Sequence, residues 1–79
     1  MKLNEAIKIL EKDRNKTRAV LRQDPLHSDV DYIIQYGWGD KLWLYYKNHM
    51  TLADIPWGPI GEEGTPDFKD EDAWIIETF

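Results

Sequence analysis

The chain is expected to fold as one α+β domain spanning residues 1–79, with an N-terminal helix packed on a small antiparallel sheet of four to five strands. Three observations predict this. Leu3, Ala6, Ile7 and Leu10 recur at the spacing of one helical stripe. Val30 to Tyr46 holds two runs rich in β-branched and aromatic residues on either side of Gly37-Trp38-Gly39-Asp40, which reads as a hairpin. Ala73 to Phe79 is a short apolar run with alternating faces, which reads as a closing strand.

The helix is expected over Met1 to Asp13. Asn4 is the expected N-cap, and Glu5 suits the positive end of the helix dipole. Lys8, Glu11 and Lys12 fall on the wet side and Ile9 lies off the stripe. Asp13-Arg14-Asn15-Lys16 makes a polar turn. Thr17 to Gln23 then reads as a strand whose Thr17, Ala19 and Leu21 face the helix. Arg18 and Arg22 project from the opposite face, roughly 13 Å apart along an extended chain.

Gln23 to Asp29 is loop, since Pro25 disfavours helix at Asp24. In the hairpin, Gly37 and Gly39 supply positive φ and Asp40 bonds locally to close the turn. Val30, Tyr32, Ile34 and Tyr36 share one face of the first strand; Leu42, Leu44 and Tyr46 share one face of the second, and Trp43 and Tyr45 the other. Apolar residues on both faces predict a central hairpin covered on two sides. Met50 to Ile55 is expected as a further strand, and Pro56-Trp57-Gly58-Pro59-Ile60-Gly61 as a break that continues into a loop. Residues 67–72 suggest one helical turn. The final strand places Trp74, Ile76 and Thr78 on one face.

Charge is uneven. Residues 1–24 carry seven Lys/Arg against four Asp/Glu, residues 25–61 two against four, and residues 62–79 one against seven. The net charge of −5 argues against general nucleic-acid binding, because phosphate is repelled, while the basic N-terminal part suits a small anion locally. No apolar run is long enough to span a membrane, and charges interrupt every apolar run in residues 1–24, so no signal peptide is expected. With no Cys in 79 residues there is no disulfide staple, and a homo-oligomer in the cytoplasm is expected.

No catalytic pattern is present, so the chain is not expected to be an enzyme. It lacks a Cys nucleophile, a Gly-x-Ser-x-Gly elbow, His-Glu-x-x-His and a phosphate loop. No metal or cofactor is expected. His27 and His49 are read as exposed and isolated, and the acidic run from Asp67 fails the EF-hand pattern at its sixth and twelfth positions, Asp72 and Thr78. Two features remain open. Arg18 and Arg22 either pair with the acidic C-terminal part or offer forked donors to a phosphate. The four Trp and four Tyr either build the core or form a stacking pocket or interface.

The two ends of the chain resemble the Thoeris anti-defence sponge family of small phage proteins. The opening helix Met1-Lys2-Leu3-Asn4-Glu5-Ala6-Ile7-Lys8-Ile9-Leu10 leads to a strand bearing Arg18 and Arg22, and Phe68-Lys69-Asp70-Glu71-Asp72-Ala73-Trp74-Ile75-Ile76 resembles the family's acidic close. Where the family places a Trp after the basic strand begins, this chain has Leu21 and Gln23; its closing Asp-Trp is widened to Asp72-Ala73-Trp74. The resemblance implies an oligomeric α+β protein of the bacterial host cytoplasm that sequesters a cyclic nucleotide immune signal without reaction. The expected ligand-binding set is Arg18, Arg22, Trp38, Trp57, Asp72 and Trp74. Two alternatives stand beside it. One is an acidic inhibitor that docks on a host defence protein or CRISPR nuclease, and the other is a structural phage protein without ligand.

Overall fold

The N-terminal stripe becomes helix α1, Leu3–Lys12, in a computed structural model that describes residues 1–61, 68 and 71–79. Its start lies two residues earlier than Asn4 predicts. The Lys2 carbonyl accepts the amides of Glu5 and Ala6, so Asn4 sits inside the first turn and no side chain caps the helix. At the other end, the Thr17 hydroxyl donates to the Asp13 carbonyl at 2.7 Å. That bond gives the buried Thr17 hydroxyl its partner on a carbonyl that also accepts the Lys16 amide.

The strands are β1 (Thr17–Leu21), β2 (Val30–Gly37), β3 (Lys41–Asn48), β4 (Asp54–Pro59) and β5 (Ile75–Thr78). They form one antiparallel sheet in the order β4-β3-β2-β1-β5. The α+β class, the single helix and the antiparallel sheet are therefore as expected, with five strands among the described residues. No described helix is long and apolar enough to cross a membrane.

Ala6 and Leu10 of α1 are fully buried against Ala19, Leu21, Ile34, Leu44 and Trp74. Register explains why these residues meet. Ala19 lies opposite Ile34 on one side and Ile76 on the other, and Ile34 lies opposite Leu44, so one row of apolar side chains crosses four strands beneath the helix. Trp74 is 0% exposed and meets the Phe68 ring edge-on, 5.4 Å between centroids. Rings in that geometry attract beyond their burial.

Four expectations change. First, the hairpin β2–β3 is central, but α1 covers one of its faces and no described element covers the other. Second, Gly37 does not take positive φ; it is extended at φ −137°, while Gly39 (76°) and Asp40 (56°) do. Gly37 is required for close approach, because a Cβ there would stand 2.8 Å from the Tyr45 hydroxyl and 3.1 Å from Trp43 Cδ1. Third, Asp40 does not close its own turn. It accepts from Arg14 Nη1 at 2.8 Å, and Arg14 also lies over the Tyr36 ring, tying the hairpin tip to the end of the helix.

Fourth, the strand after the hairpin is not Met50 to Ile55 but β4, which runs through the Pro-Trp-Gly-Pro segment expected to break structure. β4 is an edge strand, where proline's missing N–H is tolerated. A register shift helps: Tyr45 pairs with Pro56 and Leu44 with Gly58, leaving Trp57 as the extra residue of a bulge. The helical turn expected at 67–72 lies mostly outside the described residues.

Candidate functional site

The uncovered face of the sheet is concave and charged. Alternation puts Arg18 and Val20 of β1 on it, with Arg22 just past the strand's end, and cross-strand pairing sets Val20 beside Ile33, Asp31 beside Lys47, and Arg18 beside Glu77. Lys47 pairs in turn with Asp54 on β4. Arg18 Nη1 stands 4.0 Å from Asp54 Oδ2, reaching across β2 and β3. In a flat sheet three strand spacings separate the two strands by roughly 14 Å, so the side chains bridge a trough.

The trough encloses a cavity of about 340 Å³. Val20 and Ile33, both nearly fully buried, form its floor. Pro25 and Leu52 stand at its lip, contributed by the two loops that the His49 amide joins by donating to the Asp29 carbonyl. The walls carry Arg18, Arg22 and Glu77 on one side and Asp31, Lys47 and His49 on the other.

Glu77 is gripped by both arginines. Arg18 presents Nε and Nη2 to Oε1, each at 3.0 Å, and Arg22 Nη2 donates to Oε2 at 2.8 Å. The Arg18 hydrogen bond, opposed by burial and reinforced by Arg22, holds the Glu77 carboxyl below the ordinary glutamate range. The Arg18 guanidinium also lies 5.7 Å from the centroid of the Phe79 ring.

The opposite wall is a second pair. His49 Nε2 lies 2.7 Å from Asp31 Oδ1, and the Gln23 amide donates to the same oxygen at 2.8 Å. Burial pushes the Asp31 carboxyl up, but these hydrogen bonds outweigh it and the carboxyl ends below its ordinary value. His49 is therefore not the exposed loop histidine its sequence context predicts; its side chain is 21% exposed and points at β2. His27, by contrast, is exposed as expected. Among the described residues no carboxylate oxygen lies within 4.0 Å of Lys47 Nζ, so this cation lines the cavity without an ion-pair partner there.

The six residues singled out from sequence fall in separate places. Arg18 and Arg22 come together in the trough. Trp38 is 85% exposed at the hairpin tip, where its carbonyl accepts the Trp43 indole N–H at 2.8 Å. Trp57 meets Tyr46 edge-on beside Val30 and Pro56, on the helix side of the sheet. Asp72 is exposed beside the Met1 ammonium, 4.0 Å away. Trp74 lies in the core, its ring withdrawn from any surface.

The residues that sequence reasoning missed are Asp31, Lys47, His49 and Glu77. Alternation alone puts Asp31 on the Ile33 face and Lys47 on the Trp43 and Tyr45 face. Which of these faces Arg18 shares is set by strand register, a non-local property. Among the described residues no three His, Asp or Glu side chains cluster as a metal site. No protein-family model, curated protein or solved structure matches the chain.

Proposed function

We propose that this chain is a non-catalytic binding protein that captures a cyclic nucleotide immune signal in the trough, as a phage counter-defence sponge acting in the bacterial cytoplasm as a homo-oligomer. One observation carries the reading: two guanidiniums converge on a single anionic group inside a cavity. Arginine forks match phosphate as they match carboxylate. Lys47 offers a third cation, and Val20 and Ile33 an apolar floor, a combination suited to a small ligand with charged and flat parts. The resemblance of the two chain ends to the sponge family points the same way. The stacking role first given to Trp38, Trp57 and Trp74 has no Trp or Tyr ring on the cavity wall to pass to: Tyr45 and Trp43 share the trough face but lean toward Gly37 and do not line the cavity.

A thermal-shift panel of cyclic dinucleotides and cyclic ADP-ribose isomers tests this, with calorimetry on any hit. A ligand bound only by the folded state raises the melting temperature by mass action. A saturable shift abolished by R18A/R22A supports the sponge. No saturable binding to any panel member overturns it.

A second reading, an inhibitor that docks on a host defence protein, is favoured by apolar side chains in water: Met50 is 91% exposed and Trp38 85%. Trp38 and Met50 stand at opposite ends of β3, so they offer two separate apolar contact points to a large partner rather than one patch. Capture of a host nuclease by the wild-type chain, lost in a W38A/M50A variant, would select it over the sponge.

A further inference from the structure

The trough already holds an anion, and that anion belongs to the chain. Glu77 sits on β5, an edge strand of four residues paired to β1 from Thr17–Thr78 to Val20–Ile75. Arg18 and Glu77 are direct register partners, so the carboxylate enters the trough from the strand next to its main cation. Each of its oxygens takes one arginine, at 3.0 and 2.8 Å. A tethered carboxylate competes at high effective concentration, about millimolar or above for a short tether. A free monoanion that merely replaced it would exchange like for like and gain little.

Lys47 changes that balance for larger anions. It lines the same cavity from the far wall, in register between Asp31 and Asp54, with no described carboxylate within ion-pair distance. A ligand with a second anionic group reaches Lys47 as well as the arginines and gains an interaction that Glu77 does not make.

We propose that Glu77 is the specificity-determining residue of the trough: its carboxylate stands where a ligand phosphate binds, and it admits anions with two separated charged groups while excluding single ones. This rests on the reading that the trough binds a phosphorylated ligand. Simple phosphate, chloride and small carboxylates are thereby kept out, and a ligand with two phosphodiesters, such as a cyclic dinucleotide, is let in. Entry frees the Glu77 side chain from both arginines and loosens β5 at its outer edge.

The test compares wild type with Glu77→Gln, which keeps the side-chain shape and an oxygen that still accepts from Arg18. Inorganic phosphate and cyclic di-AMP are titrated against each, following the arginine Nε–Hε signals of 15N-labelled protein. The expected result is phosphate binding at least about tenfold tighter in Glu77→Gln, with the preference for cyclic di-AMP over phosphate reduced. Equal phosphate affinity in the two proteins overturns the proposal. If phosphate tightens in the variant but wild type binds no panel nucleotide, Glu77 guards an anion site and the sponge reading falls. If wild type binds cyclic di-AMP and Glu77→Gln binds both probes no better, the sponge stands and the role of Glu77 falls. Should the variant fail to fold, wild-type hydrogen exchange decides. Faster exchange at Ile76 to Thr78 in concentrated phosphate than in chloride of equal ionic strength supports the displacement, and unchanged exchange overturns it.

Discussion

Arg18 and Glu77 are register partners across β1 and β5, and their side chains stay paired above the sheet, Arg18 Nε donating to Glu77 Oε1 at 3.0 Å. The pair fastens the edge strand to the sheet through side chains as well as backbone. Its contribution depends on pH in a defined direction. Glu77 and Asp31 are both held below their ordinary values, Glu77 chiefly by Arg18, and Asp31 by His49 and the Gln23 amide against the opposing effect of burial. A carboxyl with a depressed folded-state pKa stabilises fully above its unfolded value and loses that stabilisation as pH falls through the folded one.

Stability should therefore be level near neutrality and fall from roughly pH 5 downward. Glu77→Gln should flatten that acid limb while lowering stability at pH 7 by about 1 kcal/mol, since the pair is partly exposed and screened. Urea denaturation at pH 7 and pH 4 checks both parts. An unchanged difference between the two pH values in the variant would show that Glu77 carries none of the acid sensitivity.

Trp74→Ala should unfold the domain or nearly so. Trp74 is the largest fully buried side chain, in contact with the Phe68 ring. Truncating a buried Trp costs about 3–5 kcal/mol, most of what so small a domain has. Trp74→Phe should be much milder. It keeps a ring against Phe68 and removes an indole N–H that has no partner among the described residues. Far-UV circular dichroism with a urea titration separates the two outcomes; near-equal stabilities for the two variants would contradict the packing account.

The two glycines of the hairpin should respond to alanine for different reasons. At Gly37 φ is negative, −137°, so the left-handed region is not the reason for glycine; the new Cβ meets the Tyr45 hydroxyl and the Trp43 ring. Gly37→Ala should destabilise by about 1–3 kcal/mol as an overpacked site, and Tyr45→Phe in the same chain should relieve part of it. At Gly39 nothing lies within 4 Å of a Cβ, but φ is 76°. Gly39→Ala should cost about 1 kcal/mol through backbone strain alone and be insensitive to Tyr45→Phe. A double-mutant cycle on melting curves distinguishes the two mechanisms.

The parts of the fold legible in the sequence are those fixed by local periodicity. The stripe Leu3, Ala6, Ile7, Leu10 marked α1, the hairpin runs marked β2 and β3, and alternation put Ala19 on the helix side and Arg18 and Arg22 on the other, while Trp74, expected at the ligand, lies in the core. β4 was not legible, because Pro56 and Pro59 break a central strand, and only its place at the sheet edge beside a bulge makes them acceptable. Half of the trough was legible for the same reason. Arg18 and Arg22 lie four residues apart on one side of the same extended stretch, whereas Glu77 reaches Arg22 from 55 residues away and His49 finds Asp31 across a loop pair. No local pattern encodes those meetings; they follow from the order and register of strands.

Under the proposed function, trough residues and the remaining aromatics should separate cleanly in binding. Lys47 lines the cavity as a cation without a described partner, and the Tyr45 ring shares its face. Lys47→Ala should weaken binding of the captured cyclic dinucleotide by about tenfold or more and reduce its salt dependence, because one charge contact is lost. Tyr45→Ala should weaken it less than Lys47→Ala, since the Tyr45 hydroxyl stands beside Gly37 and its ring is not among the side chains that line the cavity. Trp38→Ala and Trp57→Ala, at the hairpin tip and on the helix side of the sheet, should leave affinity within about twofold, since additive sites with no shared contact do not couple. Calorimetry at two salt concentrations reads all four. A large loss at Trp38 or Trp57 with none at Lys47 would move the ligand off the trough and onto the aromatic edge.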